Sequence, residues 1–258
     1  MAIHPTAIVD PSSEIDPQAS VGPYSLIGPR VYVGAGTEIM GHVFIDKDTS
    51  IGRGCRVFPF ASLGADPQDM KYAGERSRLV IGDLVTVRES TTIHRGTKGG
   101  GGLTSIGDQA LIMASVHVAH DCRLGPGVIL SSYAVLAGHV VVEEKAIISG
   151  SSAVHQFVRL GRHSFVGGMT GAAKDVPPFM IVAGVRDRDI VVTPNLVGLR
   201  RCGFSPEAIE AIVGAHKIIH NHKPLEEVLG EAEAAFPGSD EVRVMTAFYR
   251  DSERGVYR

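Results

Sequence analysis

The stretch from Ile106 to Leu124 reads IGDQALIMASVHVAHDCRL. Every sixth residue in it is aliphatic: Ile106, Ile112, Val118 and Leu124. Two positions before each of the last three stands a small or β-branched residue, Ala110, Val116 and Cys122. The frame runs on through Leu130, Leu136, Val142, Ile148, Val154, Leu160 and Val166. An earlier frame runs from Ile3 through Val9, Ile15, Val21, Ile27, Val33, Ile39, Ile45, Ile51 and Val57 to Leu63, and Ile81, Val87 and Ile93 form a short one between the two. Ile, Val and Leu make up about a quarter of the chain, so 22 matches out of 22 in the two long frames have a chance probability on the order of one in ten trillion. Within each hexad the inward positions alternate with period two, which is a short strand. Gly often follows the aliphatic residue, as at Gly22, Gly28, Gly107 and Gly125, and marks a corner. Short strand, corner and strict repetition predict a parallel β-helix, with three hexads closing one triangular coil of eighteen residues. Helical periodicity is absent up to about residue 171.

The frame is interrupted twice, at 64–80 and 95–105. Both segments are too long for corners and are expected as loops thrown out from the coil, where function often sits. The run Gly99–Gly102 matches no phosphate-binding fingerprint and is expected as a flexible loop tip. After Val176-Pro177-Pro178 the character changes. Ser205-Pro206-Glu207 is a helix start, followed by Ile209, Ile212, Val213 and His216 at helical spacing. A second helix is expected over 224–235 and a third from Ser239. The chain therefore divides into a mainly β hexapeptide-repeat domain, 1–190, and a small α-helical domain, 191–258.

Composition bounds the function classes. The chain has 258 residues, 44% apolar and 21% charged, with a net charge of −3. It is neither disordered nor globally basic, so nucleic acid is not an expected partner. No apolar run approaches the ~18 residues of a membrane span. No basic stretch followed by an apolar core opens the sequence, so no signal peptide is expected and a cytoplasmic location is. Three cysteines, Cys55, Cys122 and Cys202, are too scattered for a disulfide framework; the first two fall on inward positions and read as small core residues.

Stacking residues eighteen apart brings a polar patch together. Asp121 stacks on His139; His120 stacks on Gly138 and Gln156; Ala119 stacks on Ala137 and His155; His117 lies just before them. Four of the eleven histidines gather on one edge beside an acid. Histidine suits proton transfer near neutral pH, and a carboxylate can fix its tautomer. A glycine there leaves its N–H accessible to a developing oxyanion. Contact between His120 and Asp121 requires a corner, because neighbours in a strand face opposite ways. The plain alternative is a set of polar corner residues facing solvent. Another is a zinc centre using His117, His120 and His139 in a β-helix hydratase.

Six segments carry a resemblance: Gln68–Glu75 (QDMKYAGE), Thr92–Thr97 (TIHRGT), Met113–Cys122 (MASVHVAHDC), Leu136–Val140 (LAGHV), Ala153–Phe157 (AVHQF) and Arg201–Ser205 (RCGFS). With them the whole chain resembles the acyl-carrier-protein-dependent UDP-N-acetylglucosamine O-acyltransferases, which open lipid A biosynthesis. The resemblance implies a left-handed coil and a homotrimer with sites in the clefts between subunits. It implies that His120 is the general base on the sugar 3-hydroxyl, that Asp121 orients it and that the Gly138 N–H binds the thioester oxygen of a 3-hydroxyacyl carrier protein. It further implies that Asp69, Lys71, His117, His139, His155, Gln156 and Arg201 contact the sugar nucleotide or acyl chain. Gly168 falls where the family limits chain length, and its small size implies a longer chain. No cofactor, metal or covalent enzyme intermediate is implied. The chain departs from the family pattern at Cys202, where the family usually has Arg, and at 184–189, where it usually has a Gly-Asn-x-Ala-type turn. Arg159, Arg162, Arg186, Arg188, Arg200 and Arg201 are candidates to meet the acidic carrier protein. The same transfer to a 3-amino sugar nucleotide is the nearest alternative reaction; a non-catalytic β-helix is a remote one.

Overall fold

The computed structural model describes residues 2–185 and 189–258; the candidate carrier contacts Arg186 and Arg188 lie outside the described residues. Most hexads place their aliphatic residue inward at the end of a two-residue strand, as in Tyr32–Val33, where Tyr32 is exposed and Val33 buried. The strands stack into three sheets of eleven, nine and eight strands, parallel except for the last strand of the eleven-stranded sheet. They are the three faces of a prism, and the column of Ile, Val and Leu between them is its core. The usual register step is eighteen residues: Ile15 pairs with Val33, and Val118 with Leu136.

The interruptions leave the stack in register. Val57 pairs with Val87, thirty positions on, and Val87 with Ile112, twenty-five on. The three frames are therefore one coil with two excursions. The coil holds the chain slightly longer than the sequence reading expects: strands reach Ala65 and resume at Arg78, then reach His94 and resume at Leu103.

The corners differ from the glycine-based expectation. Most carry a non-glycine residue with φ between 54° and 67°, among them Tyr24, Asp121, His139 and Lys145. Such backbone costs about 1–2 kcal/mol per residue, and it is offset by hydrogen bonds from corner to corner, such as His139 N to His120 O at 3.0 Å.

Beyond the coil, Met180–Ala183 joins the eleven-stranded sheet and pairs antiparallel with Val191–Pro194. Four helices follow: α1 (Leu196–Arg201), α2 (Pro206–Ile219), α3 (Leu225–Ala235) and α4 (Asp240–Arg250). The Ser205 hydroxyl caps α2 by accepting from Ala208 N at 3.2 Å, and Ser239 caps α4 in the same way from Val242 N. Helix α1, which the helical spacing does not reveal, is a short turn capped by Asn195. The helices pack through Ile212, Ala215, Leu229, Met245 and Tyr249, with Phe179 and Met180 joining them to the coil. The chain then returns to the last coil, where Tyr257 is buried in the core of the prism. Among the described residues no helix is long and apolar enough to cross a membrane.

Candidate active site

His120 and Asp121 form the corner between His117–Val118 and Arg123–Leu124. The left-handed backbone of Asp121, φ 61°, turns two adjacent side chains onto the same side. His120 Nδ1 lies 2.8 Å from Asp121 Oδ2. The Asp121 side chain is 1% exposed, and three donors hold it: His120, the Thr97 N–H at 2.8 Å and the Thr97 hydroxyl at 2.7 Å. In the neutral ring, a buried carboxylate placed this way favours the His120 proton on Nδ1 and the lone pair on Nε2.

Thr97 belongs to the second excursion. The glycine run expected as a flexible tip instead folds as a tight turn, Lys98–Gly100, packed on the aspartate. A Cβ at Gly100 would lie 2.0 Å from Asp121 Cγ, so only glycine allows this approach. Thr97 and Gly100 were legible as loop residues but carried no sign of a role, since their contact depends on how an irregular segment folds back.

The next corners stack as the period requires. Gly138 lies beneath the imidazole: a Cβ there would come within 2.6 Å of His120 Cε1. Among the described residues nothing accepts from the Gly138 N–H. His139 Nε2 is 3.8 Å from Asp121 Oδ2, and its ring meets that of His120 edge-on at 5.2 Å. It stacks on Phe157 at 4.4 Å, one coil further along. Burial holds His139 below the usual histidine range, against the pull of Asp121.

His117 stands apart from this set. It bonds Thr92 Oγ1 through Nδ1 at 2.7 Å and pairs edge-on with His94 at 5.0 Å. Burial, helped by its histidine neighbours, pushes the buried His94 down to about 4 and lowers His117 as well, so both are neutral at pH 7. Among the described residues, the group that could present three metal-ligand atoms is His120, Asp121 and His139, all within 4.8 Å of one another. The zinc reading's third nitrogen, that of His117, is not part of it. Cys122, next in sequence, is buried and free, and burial pushes its thiol up to about 12. It is a core residue, as expected.

A cleft of about 720 Å³ opens in front of His139 and Phe157, lined by Asp69, Lys71, Thr97 and Lys98 from the two excursions. The first excursion is pinned by Arg95, fully buried, which bonds Asp46 at 2.8 Å, the Gly64 carbonyl, Asp66 and the Tyr72 hydroxyl at 3.3 Å. Glu75 ties the two excursions together by accepting from Lys98 N at 3.1 Å. A second cleft of about 690 Å³ shares His139 and Phe157 and continues past Arg159 to Arg254. His155 and Gln156 lie exposed at the corner above Gly138.

One protomer does not bring every expected residue to this edge. Gly168 is exposed at a different corner of the prism, between Phe165–Val166 and Gly171–Ala172. Arg201 ends α1, exposed, with Cys202 as its C-cap. Of the basic residues expected to meet a carrier, Arg159 and Arg162 are engaged by Glu143, whereas Arg200 and Arg201 have no carboxylate partner among the described residues.

A family model described as "Udp N-acetylglucosamine O-acyltransferase; Domain 2" matches residues 175–257, and one for bacterial transferase hexapeptide repeats matches 103–138. The solved structure of the UDP-N-acetylglucosamine O-acyltransferase from Moraxella catarrhalis is 38% identical, covers 100% of both chains and superposes with a TM-score of 0.95. The chain belongs to the UDP-N-acetylglucosamine O-acyltransferase family. Its relative from Acinetobacter baumannii is 36% identical over 100% of both chains, with a TM-score of 0.96. That from Francisella novicida is 36% identical over 99% of this chain and 94% of its own, with a TM-score of 0.94. The coil is thus the left-handed β-helix of this family, followed by its small helical domain.

Proposed function

We propose that this chain transfers a 3-hydroxyacyl chain from acyl carrier protein to the 3-hydroxyl of UDP-N-acetylglucosamine, the first step of lipid A biosynthesis. The observation that carries the reading is the clamp on Asp121, which holds the His120 ring over Gly138 with Nε2 free. His120 Nε2 takes the proton of the 3-hydroxyl as that oxygen attacks the thioester carbonyl. Asp121 stabilises the imidazolium, and the Gly138 N–H donates to the oxyanion. Collapse of the tetrahedral intermediate breaks the C–S bond, and His120 returns its proton to the departing pantetheine thiolate. The step needs no cofactor or metal.

Asp69, Lys71, His117, His139, His155 and Gln156 line the path of sugar nucleotide and acyl chain. Gly168 and Arg201 serve from a neighbouring copy in a homotrimer. Two features support self-association. Ile8, Leu26 and Phe44 stand in register on the outer face of the nine-stranded sheet, all exposed. Beside them Tyr24, His42 and Phe60 form an exposed ring stack with spacings of 5.1 and 5.4 Å. A contiguous apolar patch of this kind marks an interface. Gly168 has room around it, with only the Gly150 carbonyl at 3.6 Å from a Cβ, which suits a longer chain. Arg200, with no carboxylate partner among the described residues, offers the acidic carrier a docking charge. The working compartment is the cytoplasm.

The test is a mass-spectrometric competition. The protein receives UDP-N-acetylglucosamine and its 3-amino analogue together, with a mixture of 3-hydroxyacyl carrier proteins, beside a His120→Ala control. An O-acylated product of one dominant chain length, lost in the control, supports the reading. Preference for the amine keeps the mechanism and changes the acceptor. No acylation of either by folded protein overturns it.

A further inference from the structure

Residues 251–258 run back from α4 as a strap across the last coil. Asp175 N donates to Gly255 O at 2.9 Å and Tyr257 N to Asp175 O at 3.1 Å. Ser252 Oγ bonds Asp175 Oδ2 at 2.7 Å, Ala173 N donates to the Tyr257 hydroxyl at 2.9 Å, and Arg258 Nε bonds Ile219 O at 2.6 Å. This strap sets the backbone from which Arg254 reaches the cleft. Its Nη2 donates to Ala173 O at 3.2 Å and stands 3.3 Å from His155 Nδ1. No carboxylate pairs with Arg254 among the described residues.

The same His155 nitrogen lies 3.3 Å from the Gln156 carbonyl oxygen. It can serve one of these neighbours only. A guanidinium has nothing but donors, so beside Arg254 the nitrogen must carry a lone pair. A carbonyl only accepts, so beside Gln156 it must carry a proton. Two tautomers of His155 therefore compete, and Arg254 decides between them by charge as well as by hydrogen bonding, because a charge-assisted bond is about twice as strong as a neutral one. Nε2 has no partner among the described residues.

We propose that Arg254 is a positioning residue that keeps the His155 proton on Nε2, so that this ring offers substrate a hydrogen-bond donor. The inference rests on the reading above that His155 meets the sugar nucleotide or acyl chain. A ring N–H there attracts the acceptor-only oxygens those substrates carry, of the diphosphate and of the acetamido and acyl carbonyls, which a bare ring nitrogen repels. Loss of Arg254 lets the Gln156 carbonyl draw the proton to Nδ1 and turns the free nitrogen into an acceptor.

The experiment is long-range ¹H–¹⁵N spectroscopy of the histidines in the full chain, with steady-state kinetics on the same samples. Wild type is expected to show His155 protonated on Nε2, Arg254→Met to move the proton to Nδ1, and Arg254→Lys to restore it. The KM for sugar nucleotide rises about tenfold in R254M with kcat within twofold, and the lysine variant recovers most of it. His155→Gln places an amide N–H near the position of Nε2 without a tautomer, so adding R254M to it changes KM little. The other strap bonds remain in R254M, and R254A gives the same readout should the methionine disturb packing. A wild-type His155 protonated on Nδ1, or a tautomer unchanged by R254M, overturns the proposal, as does a full KM penalty in the H155Q background. If the tautomer moves as expected but the wild-type protein acylates no sugar nucleotide, control of His155 stands and the acyl-transfer reading falls.

Discussion

Asp121 is held by a hydroxyl, a backbone N–H and an imidazole, so single atoms around it have measurable weight. Thr97→Val removes one of those donors and leaves the backbone bond; kcat is expected to fall roughly tenfold, the equivalent of about 1.4 kcal/mol. Gly138→Ala puts a methyl where the His120 ring lies. The backbone tolerates alanine, so the protein folds with a nearly unchanged Tm, but a ring displaced by about 1 Å costs kcat about 10²-fold. His94 makes a prediction of opposite kind, on stability. Its folded-state value of about 4 lies below the ordinary 6.5. Between those values the unfolded chain binds the proton and the folded chain does not, so stability rises with pH. The contribution is fully present above pH 6.5 and is lost as pH falls toward 4, about 3 kcal/mol for this group. Thermal melts from pH 7 to pH 4 should fall less steeply in His94→Gln than in wild type; parallel curves would show that other groups govern the acid limb.

At the level of elements, the coil and the excursions differ in how far sequence alone reveals them. The inward column from Val21 to Val166 was legible because each coil repeats the same steric problem. The site was legible to the extent that it obeys the coil: His120 over Gly138 and Asp121 beside His139 follow from a step of eighteen. The capped starts of α2 and α4 were legible in Ser205 and Ser239 for a local reason, a hydroxyl before the first turn. Thr97, Gly100, Arg95 and Arg254 were not, because their contacts join segments outside the repeat whose paths no period describes. Arg95 shows the consequence. Arg95→Met leaves the Gly64 carbonyl and two half-exposed carboxylates without their buried cation, and should cost about 2–3 kcal/mol in urea unfolding. It should also free the 66–77 segment that carries Asp69 and Lys71, raising KM for the sugar nucleotide and exposing the segment to limited proteolysis; a protease-resistant variant with normal KM would assign the pinning elsewhere.

At the scale of the whole molecule, the homotrimer proposed above, with the exposed column of Ile8, Leu26 and Phe44 at its interface, predicts a particle of three times the 27.3 kDa chain by light scattering. Leu26→Glu with Phe44→Glu should yield a folded monomer without acyl transfer, because Gly168 and Arg201 lie away from the His120 corner of their own protomer. A monomeric variant that keeps full activity would place the complete site within one chain. The corners hold one more consequence. A left-handed backbone at an acid beside a histidine is ordinarily a mark of strain kept for chemistry. Here nearly the same angle recurs at Tyr24 and Lys145, at corners other than that of His120. The prism resembles a screw thread, in which every turn is cut at one pitch and each flank bears the same load. A thread can lose or gain a whole turn without recutting the rest, so deletion of one coil ahead of the site, residues 20–37, should shorten the molecule by about 4.8 Å and leave the geometry around His120 as it was.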